Sequence, residues 1–203
     1  MSLVTIIGIL TIIISLLGFR NKELFSKFKL NPYLVVHKKD YHRVITHAFL
    51  HADWIHLIIN VMVFFSFGES LQLYFNYYFG KSGALVFLGL YIGGIIFSSL
   101  YSIAKHKNDS YYNAIGASGA VSAVVFASIF FDPWHKIGLF AVLPIPGIIF
   151  AFLYLAYSYY MGKKGYDNIG HDAHFFGAVF GLMYPVLIKH DLFFVFIHQL
   201  SAF

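Results

Sequence analysis

Six long apolar stretches, at about 3–19, 54–68, 83–103, 115–131, 146–161 and 173–188, leave this chain almost no water-facing surface to build. Crossing the hydrocarbon core of a bilayer takes about 20 mostly apolar residues, and each stretch approaches or meets that length. Charged residues make up only 11% of the chain and the mean hydropathy is +0.73, against roughly 25% charged in a soluble domain. The stretches therefore read as membrane spans, and the expected fold is one all-α polytopic bundle of six transmembrane helices over 1–203. The first, Leu3–Phe19, lacks a basic leading region and a small-residue cleavage site, so it is expected to stay as the first span.

The connections carry the charge. Between the first two spans, 20–53 mixes lysine with Phe, Leu, Tyr and Trp rather than Gly and Ser, which predicts a folded segment at the membrane surface. Asp132-Pro133 and Pro144-Ile145-Pro146 mark helix ends, because proline cannot donate a helical hydrogen bond. Tyr77, Tyr78, Tyr111, Tyr112, Tyr159 and Tyr160 fall at span edges, where an amphipathic ring prefers the interface. The net charge of +5 comes from lysines and arginines in these loops, so it is assigned to lipid headgroups and not to nucleic acid. Without cysteine, disulfides, thiolate metal sites and a cysteine nucleophile are excluded.

Polar side chains inside spans are costly and therefore informative. His56 and Asn60 are four residues apart and share one face of the second span, Ser118 opens the fourth, and His174 opens the sixth. Spans two, four and six run in the same direction. The segments 56–69, 118–132 and 174–189 each correspond to roughly 20 Å of helix, so the three groups are expected at one depth, about a third of the way into the core. Gly116 and Gly119 flank Ser118, while Gly177 and Gly181 follow His174 in a G-x-x-x-G pattern, which lets two helix backbones pack closely. A serine hydroxyl is a weak nucleophile until a base takes its proton, and His174 is the base at that level. Asn60, His56 and the Ser118 backbone N–H supply donors for the oxyanion. Asp172 lies two residues before His174 on another helix face, which favours a Ser-His dyad over a triad.

These residues resemble the rhomboid intramembrane serine proteases: His51-x4-His56-x3-Asn60, Gly116-x-Ser118-Gly119, and Ala173-His174-x2-Gly177-x3-Gly181, in order and on the expected spans. The likeness runs over about 40–188. It implies a six-helix fold, Ser118 as nucleophile, His174 as base, His56 and Asn60 as oxyanion donors, no metal or other cofactor, and cleavage of single-span membrane proteins near the bilayer boundary. A multi-pass protein of a bacterial inner membrane is the expected location. Two positions depart from the family pattern. Ser122 stands where an aromatic residue, four after the serine, packs on the catalytic histidine, and His42-Arg43 replaces a Trp-Arg pair in the first loop.

His47 with His51, and His171 with His174, have spacings that suit a metal on a helix face, so a histidine-lined metal transporter is the alternative from another class, alongside a silent relative that binds membrane helices without cutting them. No His-Glu-x-x-His motif exists, and Tyr166-Asp167 matches half of an aspartyl-protease signature with no Gly-x-Gly-Asp to complete it. Glu69 and Gln72 are expected at the solvated far end of the second span. The resemblance implies an amino terminus in the cytosol, which would turn Arg20, Lys22, Lys27, Lys29, Lys38, Lys39 and Arg43 outward with Lys105, Lys107, Lys163 and Lys164, the reverse of the usual positive-inside bias.

Overall fold

A computed structural model gives the fold and describes residues 1–139, 143–165 and 169–201. Helix α1, Leu3–Arg20, starts at Ser2, whose hydroxyl accepts the Thr5 N–H at 3.0 Å. The segment after it folds on itself through three short helices, α2 (Lys22–Phe28), α3 (Pro32–His37) and α4 (Arg43–Thr46). Arg43 organises them. Its guanidinium donates to the Ser26 carbonyl at 2.8 Å, the Lys29 carbonyl at 3.0 Å and the Asp40 carboxylate at 3.0 Å. A buried cation is tolerated because its donors are satisfied in this way. His42 reaches the Lys27 carbonyl at 3.1 Å, so the pair that departs from the family pattern still ties this segment together.

Helix α5, Trp54–Phe79, is capped by Asp53 Oδ1 on the His56 N–H at 2.8 Å and closes at Gly80, whose φ of +57° suits a residue without a Cβ. The helix runs on past Gly68, where the span was expected to end. Glu69 and Gln72 lie within it, and their polar ends turn to α1: Glu69 accepts from Ser2 Oγ at 2.6 Å, and Gln72 Oε1 from the Val4 N–H at 3.4 Å. Helix α6, Gly83–His106, then folds back along α5, as the Phe64–Tyr91 and Phe75–Phe87 ring pairs at 5.3 and 6.5 Å record. By length and composition, Leu3–Arg20 and the Trp54–His106 pair are long and apolar enough to cross a membrane.

Helix α7, Ser118–Phe131, is the centre of the bundle: every residue of Gly119–Phe131 is buried. A helix apolar on all faces belongs there. At 14 residues it spans only about 21 Å, short of a hydrocarbon core of about 30 Å. Helices α8 (Gly147–Lys164) and α9 (His171–Ile188) pack beside it. Between lipid-facing helices the hydrophobic effect gives little drive, and small residues that let backbones touch matter more. Here a Cβ on Gly177 would overlap the Gly119 carbonyl, and one on Gly181 the Ala123 carbonyl.

Two elements lie outside the expected all-helical pattern of spans. Residues Lys136–Leu139 (β1) and Leu143–Pro146 (β2) pair antiparallel, with Lys136 opposite Pro146 and Leu139 opposite Leu143. Pro144 and Pro146 lack N–H donors and are tolerated because this two-stranded ribbon is all edge. After α9 the chain bends by 119° into α10, Leu192–Ser201. The Phe130 and Phe196 rings stack there at 4.8 Å, and Trp134 donates to the Gln199 carbonyl at 3.1 Å.

Candidate active site

The loop into α7 is built for one sharp turn. Gly116 has φ +118°, a backbone conformation closed to residues with a side chain, and its N–H donates to the His47 carbonyl at 3.0 Å. His47 is itself fixed: its Nε2 meets Ser99 Oγ of α6 at 3.0 Å, and that hydroxyl donates to the Ile95 carbonyl at 2.7 Å. An isolated bridge pairs Leu30 with Ala114, and Asn31 Nδ2 donates to the Ser110 and Tyr112 carbonyls at 2.9 and 3.1 Å. The first loop thus sets the position of the segment that delivers Ser118.

Ser118 is the first residue of α7 and is half-buried, whereas Gly119 and all that follows is sealed. The opening N–H groups of a helix have no acceptor within it, so the serine sits where backbone donors converge. His56, in the first turn of α5, stands beside it. A Cβ placed on Gly116 would come within 4 Å of both His56 Nε2, at 3.1 Å, and Ser118 Oγ, at 3.8 Å, so the missing side chain of Gly116 leaves the room in which these groups approach. His56 Nδ1 accepts the Ala52 N–H at 3.4 Å; a neutral imidazole that accepts at Nδ1 carries its proton on Nε2, on the ring edge that faces Gly116. Asn60, 7% exposed, spends one amide hydrogen on the His56 carbonyl at 2.9 Å and keeps a second. A void of about 10 Å³, lined by Asn60, Ala117, Val121 and Tyr91, lies next to it, about the size for one water.

His174 is in the first turn of α9, half-buried, and the next turn carries Gly177 against Gly119. The Ala173 carbonyl oxygen is 3.4 Å from where a Gly119 Cβ would stand. These backbone contacts bring His174 and Ser118 to one level on adjoining helices. The near ends of the helices give that level more directly than the far ends, because α5 continues well beyond Glu69. Asp172 turns the other way and pairs with Lys105 of α6 at 3.2 Å. Tyr166 and Asp167 lie outside the described residues.

His47 and His51 go to separate partners. His51 Nδ1 meets Ser15 Oγ of α1 at 2.8 Å, and Ser15 donates its proton to the Phe49 carbonyl at 2.7 Å, so His51 is the donor in that pair. Its ring packs edge-on against His56 at 4.9 Å, which helps fix the His56 plane. Burial lowers the pKa of His47 from 6.5 to about 4 and that of His51 to about 3, so both are held neutral. Among the described residues no three histidines or carboxylates gather as a metal site. One neighbour of His174 was not anticipated from the sequence: the Tyr154 ring of α8 stacks on it, with centroids 6.3 Å apart and planes at 26°. A pattern read along α7 alone had no means of finding a residue on α8.

The Rhomboid domain family model matches residues 38–190, three quarters of the chain and all of the helices that carry these groups. The chain belongs to the rhomboid family. It is similar to RHOMBOID-like protein 12, mitochondrial, of Arabidopsis thaliana, 27% identical over 152 residues, which covers 68% of this chain and 43% of that protein. Against Rhomboid protein 1, mitochondrial, of Saccharomyces cerevisiae the identity is 32% over 146 residues, with 70% and 40% covered. Rhomboid-related protein 1 of Caenorhabditis elegans is 25% identical over 156 residues, with 74% and 40% covered. The chain therefore spans about two fifths of the length of the relatives it matches. As a rhomboid it is an integral membrane protein; the expected bacterial inner membrane gains no support from relatives of which two bear mitochondrial names.

Proposed function

We propose that this rhomboid is an intramembrane serine endopeptidase that cleaves single-span membrane proteins near the bilayer boundary with a Ser118-His174 dyad. The observation that carries this is the setting of Ser118: the first residue of a buried, short helix, with the His56 Nε2 edge on one side and the His174 turn of α9 brought alongside by glycine contacts. In the proposed mechanism His174 takes the Ser118 proton as Oγ attacks the scissile carbonyl, giving an acyl-enzyme after the protonated imidazole returns that proton to the leaving amine. His56 Nε2–H, the free Asn60 amide hydrogen and the backbone N–H groups at the start of α7 meet the oxyanion, where losing one donor costs about 100-fold to 1000-fold in turnover. A water that gives its proton to His174 then attacks the acyl-enzyme and releases Ser118 Oγ. An unwound stretch of a substrate helix, not a regular helix, is the reactive form, since a helical carbonyl is already hydrogen-bonded.

The test uses purified protein in detergent or vesicles with a single-span substrate and a fluorophosphonate probe. Wild type should cleave and become labelled, Ser118→Ala should do neither, His174→Ala should fall to background, and His56→Ala and Asn60→Ala should lose about 100-fold or more in kcat. Cleavage surviving in Ser118→Ala, or abolished only by a chelator, refutes the serine mechanism; wild type that neither cleaves nor labels makes the chain a binder of membrane helices.

A further inference from the structure

We propose that Tyr154 of α8 is the positioning residue of His174, with Ser122 of α7 as the clamp that holds it; the proposal rests on the dyad reading above. Three contacts fix the Tyr154 ring. Its hydroxyl meets Ser122 Oγ at 2.7 Å, and its faces and edges are braced by Phe126 of α7 and Phe150 of α8, each with centroids at 5.5 Å. Ser122 is 5% exposed, so the hydroxyl pair is sheltered from solvent. The ring so held lies nearly parallel to the His174 imidazole at 6.3 Å, while the His171 ring meets His174 edge-on at 5.9 Å. Both distances are within the range of aromatic pairing.

The imidazole needs such a wall. The terminal torsion of histidine is broad and roughly two-fold, yet a general base works only when one nitrogen is within hydrogen-bond reach of the proton it abstracts. A parallel ring on one side and a perpendicular ring on another leave one plane for the imidazole. Ser122 is small where α7 passes His174, and the volume is filled from α8. The orientation of the base therefore depends on where α8 stands against α7, set by the Ser122–Tyr154 hydroxyl pair and the Phe126–Tyr154 contact.

The experiment compares full-length wild type with Tyr154→Phe, Tyr154→Leu, Ser122→Ala and the exchange Ser122→Phe/Tyr154→Ala. It measures kcat and KM on a single-span substrate, the fluorophosphonate labelling rate and thermal unfolding. Tyr154→Leu should lower kcat and labelling about 10-fold to 100-fold, the scale of a small misplacement of a reacting group, with KM within about twofold. Tyr154→Phe, which keeps the ring, should lose about threefold, and Ser122→Ala a similar amount. The exchange, which moves the ring to α7, should recover much of the loss of Tyr154→Leu. Wild-type kcat in Tyr154→Leu overturns the proposal, as does a loss confined to KM or one that tracks the fall in folded protein equally in the Phe and Leu variants. If wild type itself neither cleaves nor labels, the dyad reading fails, and this assignment with it.

Discussion

Replacing Gly177 by alanine isolates the contact on which the spacing of the site depends. The added methyl would overlap the Gly119 carbonyl oxygen and lie 2.8 Å from its carbon and 3.1 Å from Gly119 Cα, where carbon atoms pack at about 3.5–4.0 Å. These are backbone atoms of a buried helix, so no rotamer change relieves the overlap, and α9 must withdraw by roughly 1 Å. Helix propensity predicts the opposite sign, since alanine is favoured over glycine by about 0.8–1.0 kcal/mol in a helix interior. Overpacking costs about 1–3 kcal/mol and sometimes more, and here the whole Gly119–Ala123 seam loosens, so a net destabilisation of about 2 kcal/mol is expected. Gly181→Ala meets the Ala123 carbonyl in the same way; because one withdrawal relieves both overlaps, the double variant should cost less than the sum. Gly170→Ala, whose nearest atom is the Ala173 Cβ at 3.7 Å, is the control. Unfolding in mixed micelles gives the stabilities, and a cleavage assay should show Gly177→Ala slower by about 100-fold as His174 moves away from Ser118. A Gly177→Ala protein as stable as wild type, with undiminished turnover, refutes the packing argument.

Acid should destabilise the first loop. His47 and His51 are held neutral, with pKa values lowered to about 4 and about 3 from 6.5, so below pH 6.5 the unfolded chain binds protons the folded chain refuses, and stability falls as pH falls. At about 1.4 kcal/mol per unit per group, lowering the pH to 5 costs roughly 2 kcal/mol for each histidine; unfolding midpoints flat between pH 8 and 5 would sink this, and His47→Gln should remove about half of the slope. Gly116→Ala forces a side chain into φ +118° and 2.9 Å from His56 Cε1, so cleavage should drop at least 100-fold, and equal labelling rates would count against the proposed approach of His56 to Ser118. Arg43→Met strands the Ser26 and Lys29 carbonyls and should cost about 2–4 kcal/mol in the same unfolding assay; a neutral effect there would mean the loop is held by other contacts.

How much of this was legible in the sequence follows from the range of each signal. His56, Asn60, Ser118 and His174 stand out in the sequence because polar side chains are rare in apolar stretches, and the glycines because a G-x-x-x-G spacing marks one helix face. The length of α5 was hidden because Glu69 and Gln72 resemble a helix end; their polar atoms find Ser2 and Val4 of α1, 64 or more residues away. The β1–β2 ribbon is hidden because its prolines also mark helix ends, and a two-stranded ribbon that is all edge tolerates them as well as a helix end does. Arg43 looked like one more surface cation, while its partners Ser26 and Lys29 are carbonyls, which any residue supplies.

Ser122 shows where a motif read along one helix stops being informative. Position by position, a serine four residues after the proposed nucleophile leaves α7 without an aromatic wall for the proposed base. Packing, however, is decided by the volume between helices and not by the helix that fills it, and close-packed interiors leave few voids. A small residue on α7 opens a space that α8 occupies with Tyr154, and the same hydroxyl that makes Ser122 small and polar bonds the Tyr154 hydroxyl at 2.7 Å. On the proposed reading Ser122 and Tyr154 act as one unit across two helices, and a variant that alters Ser122 alone tests only half of it. This is why the exchange of the ring between α7 and α8, and not the single replacements, is the decisive comparison for how the base is held.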